Sequence, residues 1–307
     1  MSKTAFIFPG QGAQYCGMGQ DFYENTKTGK ELFDMASELL GFSVPELCFE
    51  KNDRLDITEY TQAAMVTTSI AMMRVLEEAK GVKPDVAAGL SLGEYPALAA
   101  AGVMSDADAI RTVRQRGILM QEAVPVGLGA MAAILALDAS KIEEVISAID
   151  GVSIANYNCP GQIVITGWKE SVEKASEVLK EAGAKRVLPL NVSGPFHSPM
   201  LTEAGEELGR VLENVEVSTL AIPYVTNVTA EYVTDIAQTK ALLAKQVASS
   251  VRWQQSVENM IADGVDTFVE IGPGRTLAGF MRKINRDVKV YNVGTWEDVD
   301  KVVSELC

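Results

Sequence analysis

Gly89-Leu90-Ser91-Leu92-Gly93 sets a serine between two glycines, and the whole chain offers only one histidine, His197, to serve as its base. The apolar run Val86-Ala87-Ala88 precedes the motif, and an alanine-rich run ending at Gly102 follows it. That order is strand, tight turn, helix. A chain reversing so sharply has no room for side chains beside the turn, and the serine hydroxyl is left exposed near helix N–H groups. An ordinary βα turn fits the same five residues, but the flanking strand and helix supply the context the motif requires. A serine hydroxyl is a weak nucleophile alone and needs a base. His197 lies in Gly194-Pro195-Phe196-His197-Ser198-Pro199, a proline-bounded loop rather than an apolar stripe. A lone histidine is usually surface or satisfied core; the need of Ser91 favours the catalytic reading.

Two further residues could complete a nucleophilic-serine site. In the helix opened by Ser105-Asp-Ala-Asp108, Ala109, Ile110, Val113, Gly117 and Met120 share one face at about 100° per residue. Arg116 falls at its edge, while Arg111 and Arg114 point elsewhere. An arginine leaning into a core needs an anion; a structural ion pair or a snorkelling side chain would also satisfy it. Gln11 sits in Pro9-Gly10-Gln11-Gly12, just past the apolar run Thr4 to Phe8. Its backbone N–H could meet an oxyanion, or it could be a solvated loop residue. The same loop is no dinucleotide fingerprint, because Tyr15 occupies the sixth position.

The elements that must position these residues follow from the pattern. Helices are expected over 21–40, 61–80, 140–149, 170–182, 200–215, 235–249 and 275–284, and strands over 130–137, 152–157, 162–167, 185–190, 222–226 and 267–271, with a turn at 158–161. The methionines of the 61–80 stretch read as core packing. Residues 129–191 run βαββαβ, a ferredoxin-like unit. The expected class is therefore α/β: an α/β-hydrolase-like catalytic subdomain (1–127 and 193–307) carrying an inserted ferredoxin-like subdomain (128–192).

Composition narrows the partners. With 307 residues, 47% of them hydrophobic, the chain can bury a large core. Its net charge of −14 repels nucleic acid and anionic membranes. Arg282, Lys283 and Arg286 form a local basic cluster, either a docking patch for an acidic partner or a solvated face. No apolar stretch approaches membrane-spanning length or a signal peptide. Cys16, Cys48, Cys159 and Cys307 are scattered, which suits free thiols in a reducing cytoplasm. With one histidine and no cysteine pair, no zinc site is expected.

Taken together, six blocks in order resemble the malonyl-CoA:acyl carrier protein transacylase family along nearly the whole chain. They are Phe8 to Gln14 (FPGQGAQ), Gly89 to Glu94 (GLSLGE), Arg114 to Gly117 (RQRG), Ala155 to Gln162 (ANYNCPGQ), Gly194 to Ser198 (GPFHS) and Val269 to Gly274 (VEIGPG). The resemblance implies Ser91 as nucleophile and His197 as base. It implies an oxyanion hole from the backbone N–H groups of Gln11 and Leu92, and Arg116 as partner of the malonyl carboxylate. Gln246 would orient His197 in place of a triad carboxylate, beside the bound substrate. Phe196 would narrow the pocket against branched acyl groups. Malonyl-CoA and holo acyl carrier protein are the implied partners of a free-standing cytoplasmic monomer without a cofactor. The departure is Leu90, where the family usually has histidine; the chemistry is expected to survive, since His197 is the base. Three other readings share parts of this pattern: a serine thioesterase or hydrolase, a polyketide-pathway acyltransferase, and a non-catalytic carrier-binding module. In α/β-hydrolases the histidine usually lies near the C-terminus, whereas 110 residues follow His197.

Overall fold

The computed structural model describes residues 2–80 and 82–306 and is an α/β fold with two sheets. The larger holds β1 (Lys3–Phe8), β2 (Val86–Gly89), β7 (Tyr224–Val225), β8 (Tyr232–Val233), β9 (Val265–Ile271) and β10 (Lys289–Val293), in the order β10-β9-β1-β2-β7-β8. All neighbours are parallel except the edge pair β7–β8. Strands covered on both faces must be apolar throughout. Phe6, Phe8 and Ala87 enter one core, while Ala5, Ile7, Val86 and Ala88 enter another on the opposite face.

The second sheet holds β3 (Gly129–Leu135), β4 (Val152–Cys159), β5 (Gln162–Trp168) and β6 (Arg186–Pro189), in the fully antiparallel order β4-β5-β3-β6. Alternation along β3 decides how it packs. Ala132 and Ile134 face the helices Ala139–Ile146 and Lys169–Glu181, with Ile142 and Leu179. Met131 and Ala133 turn the other way, into the core of the large sheet. Backbone bonds from Tyr157 N to Val251 O (2.9 Å) and from Val251 N to Ala155 O (2.7 Å) lace the two parts together.

Several boundaries differ from the sequence expectation for local reasons. The 21–40 stretch is two helices, Gln20–Asn25 and Lys27–Leu40. Thr26 stops the first with an extended backbone, and its hydroxyl accepts from Gly29 N to cap the second. The expected turn at 158–161 shrinks to Pro160-Gly161, so β4 runs on through Cys159 and carries Asn158 on a strand. The 222–226 strand keeps only two residues, and the 235–249 helix is α-helical only over Thr239–Gln246. Helices Val44–Phe49, Trp253–Ala262 and Trp296–Leu306, with strands β8 and β10, complete the fold.

At the carboxyl ends of β1 and β2 the chain leaves for loops 9–14 and for the turn at Ser91. β1 lies between β2 and β9, so the connections diverge here, where open α/β sheets bind ligands. The glycines flanking Ser91 are dictated by contact. A Cβ on Gly89 would lie 1.9 Å from Gly93 O, and one on Gly93 would lie 2.3 Å from Phe8 O. Gly89→Ala is therefore expected to destabilise the fold by about 3 kcal/mol or more, as backbone overpacking does. Chemical denaturation checks this; wild-type stability would mean that the turn has slack.

Candidate active site

Ser91 opens the short 3-10 turn Ser91–Gly93 with φ of 55°, a left-handed conformation that is rare for a residue with a side chain. Asn227 holds it there. Its Oδ1 accepts from Ser91 N (2.6 Å) and its Nδ2 donates to Gly89 O (2.6 Å). The strained backbone aims Ser91 Oγ at His197 Nε2, 2.7 Å away. His197 is itself left-handed, with φ of 59°, and buried. Its Nδ1 lies 3.0 Å from the backbone carbonyl of Gln246. A carbonyl only accepts, so Nδ1 carries the proton and Nε2 is the free base that faces the serine.

Arg116 is 1% exposed and reaches the same point. Its Nη2 donates to Ser91 Oγ (3.1 Å) and Gln246 Oε1 (3.0 Å), and its Nη1 donates to Gln62 Oε1 (2.7 Å). Its Nε is buried without a partner. Arg114, by contrast, pairs with Glu59 at 2.7 Å, and Arg111 approaches Asp108 at 3.9 Å. Among the described residues no carboxylate comes within ion-pair distance of Arg116. That removes both bland readings of this residue: it neither snorkels nor sits in a direct ion pair. Burial pushes its charged form down in stability, with Tyr95 and Glu94 opposing.

The same environment acts on His197. Burial, then the charge of Arg116, pushes its pKa down to about 4, against the pull of the Gln246 carbonyl. The imidazole is neutral, as a general base must be.

Ser91 and His197 open into a cavity of about 660 Å³ that Gln11, Gln62, Asn156 and Asn158 also line. Leu90 and Phe196 supply apolar wall beside them. No protein group accepts from Gln11 N among the described residues, so that N–H is free to meet an oxyanion; its side chain donates to Thr58 Oγ1 at 3.2 Å. Leu92, directly after the serine at the start of the turn, is buried. Asn158 Oδ1 is buried and unpartnered at the cavity wall, so it can still accept a hydrogen bond.

Such a site can take a proton from a serine, stabilise a tetrahedral oxyanion and hold a carboxylate. Residues 5–301 match the family model described as acyl transferase domain. The chain is 47% identical to the malonyl CoA-acyl carrier protein transacylase of Bacillus subtilis, covering all of this chain and 98% of that one. It is 44% identical to the Staphylococcus aureus protein of the same name, over 97% of this chain and 98% of that one. The solved transacylase of Clostridium perfringens superposes with a TM-score of 0.96 at 43% identity, covering 99% of this chain and 97% of the other. A malonyl-transacylase solved in complex with a type II PKS acyl-carrier protein superposes with the same score at 39% identity, over 99% and 100%.

The chain belongs to the malonyl-CoA:acyl carrier protein transacylase family.

Ser91, His197, Arg116 and Gln246, the residues expected from the sequence, thus meet within hydrogen-bond reach, and Gln11 lines the same cavity. One detail differs from the expectation. Gln246 holds His197 through its backbone carbonyl, while its side chain serves Arg116, Ser91 O (3.0 Å) and Glu94 (2.7 Å). Gln62, Asn227 and Glu94 also belong to the constellation, and sequence reasoning gave none of them a role. Gln62 carried a faint signal, a long amide directly before the apolar run Ala63 to Val66. Asn227 carried none, because its function arises only when β7 pairs beside β2.

His197 is the only histidine, so its imidazole gives one resolved NMR titration. A pKa near 4 is expected, and Arg116→Ala should raise it by removing the neighbouring charge. A wild-type value at the ordinary 6.5 would contradict the buried, cation-flanked base.

Proposed function

We propose that this protein transfers a malonyl group from malonyl-CoA to the phosphopantetheine thiol of acyl carrier protein, as a free-standing cytoplasmic monomer serving fatty acid synthesis. The observation that carries this reading is a buried arginine, with no carboxylate of its own, donating to the oxygen of a serine that also contacts the sole histidine. The family's malonyl-transacylases support the choice of donor and acceptor.

In the first half-reaction His197 Nε2 takes the Ser91 proton and Oγ attacks the thioester carbonyl. The oxyanion rests on the N–H groups of Gln11 and Leu92, where one such donor contributes ~2.7–4 kcal/mol. The intermediate collapses, the C–S bond breaks, and CoA leaves with the proton held by His197. The carrier's thiol then gives its proton to His197 and attacks the malonyl ester. The C–O bond breaks, Ser91 recovers the proton, and malonyl-carrier departs. Arg116 fixes the free carboxylate throughout, favouring malonyl over acetyl through its planar fork. Leu90 stays outside the proton path, and Phe196 narrows the wall against branched acyl groups. Gln246 acts beside the substrate through Arg116. The catalytic body is the α/β-hydrolase-like part (1–127 and 193–307), and 128–192 is the ferredoxin-like insert, a division supported by the strand order of the small sheet.

The helix Thr276–Ile284 touches the cavity through Thr276, Leu277 and Phe280. It leads to a second cleft lined by Arg282, Lys283 and Arg286. Among the described residues none of these three cations has a carboxylate within ion-pair distance. On a chain of net charge −14, this is where an acidic carrier would be drawn.

Two experiments test the reading. Intact mass after brief mixing with malonyl-CoA should show a malonyl adduct on the wild type and none on Ser91→Ala. Holo acyl carrier protein, not water, should discharge it. An adduct lost to water equally fast would favour a hydrolase. Arg282→Glu with Arg286→Glu should raise KM for the carrier about tenfold, the scale of one lost charge pair, and leave adduct formation unchanged. Equal loss in both steps would assign the patch to the CoA phosphates.

A further inference from the structure

Glu94 is wholly buried one turn after the nucleophile, and the acyl-transfer steps leave it no task. Its Oε2 accepts from Asn227 N (3.0 Å) and from Gln246 Nε2 (2.7 Å), while Oε1 has no partner. Gln246 is the shared support of the site: its Oε1 accepts from Arg116, its Nε2 also donates to Ser91 O, and its backbone oxygen holds His197.

We infer that Glu94 is a positioning residue that fixes the amide of Gln246 and through it the acyl selectivity of Arg116. An amide can be turned over at almost no change in shape, so its neighbours must decide which end is oxygen. Turned over here, the Gln246 oxygen would face the Glu94 carboxylate and the Ser91 carbonyl, acceptor against acceptor. Its NH2 would face Arg116, donor against donor. With Glu94 in place the amide dipole runs from cation to anion, carbonyl toward Arg116 and NH2 toward Glu94. Because Glu94 acts through the amide and not on Arg116 itself, an Arg116 donor, Nε, stays free for a substrate carboxylate. A direct Glu94–Arg116 pair would have consumed it.

The inference rests on the reading that Arg116 holds the malonyl carboxylate, and the experiment separates the two. Adduct formation from malonyl-CoA and from acetyl-CoA is measured for the wild type, Glu94→Gln, Glu94→Asp and Arg116→Ala. Glu94→Gln keeps the reach and an acceptor oxygen, since the Asn227 N–H requires oxygen at that position. Its malonyl-to-acetyl ratio should stay within about threefold of wild type, less than one ordinary hydrogen bond is worth. Glu94→Asp keeps the charge but withdraws it by one methylene, and its ratio should fall about tenfold or more, the scale of a charge-assisted bond. If Glu94→Asp does not fold, Glu94→Met, which keeps the reach but offers no oxygen to the Gln246 amide, takes its place with the same expected fall. A wild-type ratio in the Asp variant, or both acyl groups slowed by the same factor, would overturn the role of Glu94. A wild-type ratio in Arg116→Ala would instead remove the reading beneath it.

Discussion

A guanidinium buried to 1% exposure, held only by neutral oxygens, is the constraint around which this site is built. Removing an ion from water costs several kcal/mol after relaxation, and neutral carbonyls return only part of that. The guanidinium therefore favours a negatively charged partner. A carboxylate about 4 Å away recovers about 4 kcal/mol at an effective dielectric of 20. Acyl groups lacking a carboxylate recover none of it. Selectivity of this kind needs no large pocket and no moving lid, only a cation denied a direct partner.

The same charge couples selectivity to chemistry. Burial first, and then the nearby charge of Arg116, lower the pKa of His197 and keep the imidazole neutral. On the proposed reading, a carboxylate docked on Arg116 would cancel that field and make the imidazole a stronger proton acceptor. The backbone contributes through strain. Ser91 and His197 both hold left-handed conformations, each costing about 1–3 kcal/mol, and they persist because the surroundings over-determine them. Asn227 clamps both sides of the serine turn, and Gln246 clamps both the imidazole and the guanidinium.

Much of this was legible in the chain because it depends on neighbours in sequence. The Ser91 turn and the lean of Arg116 toward an apolar face are local patterns, each with a bland alternative that only the structure removes, and His197 is the sole histidine. The strand-like runs 130–137 and 162–167 marked out strands that β3 and β5 occupy at slightly shifted limits. The failures have two sources, local caps and turns that the pattern does not show, and tertiary contacts. Thr26 splits a continuous helical pattern with a cap, and Asn158 lies on a strand because only Pro160-Gly161 is needed to reverse it. β7 and β8 are too short to show any period, yet β7 delivers Asn227 to the nucleophile. Gln246 was placed at the site by resemblance, but helix position could not show that its backbone, rather than its amide, holds the histidine.

The preference of Arg116 for an acyl group that carries a negative charge is most directly tested by calorimetric titration of Ser91→Ala, which cannot be acylated there, with malonyl-CoA and with acetyl-CoA. The two ligands share everything except the terminal carboxylate. Malonyl-CoA is expected to bind tighter by about ten- to a hundredfold, the 1.5–3 kcal/mol of a hydrogen bond to a charged group. Equal affinity for the two would contradict it, because a buried cation waiting for a carboxylate could not be indifferent to one.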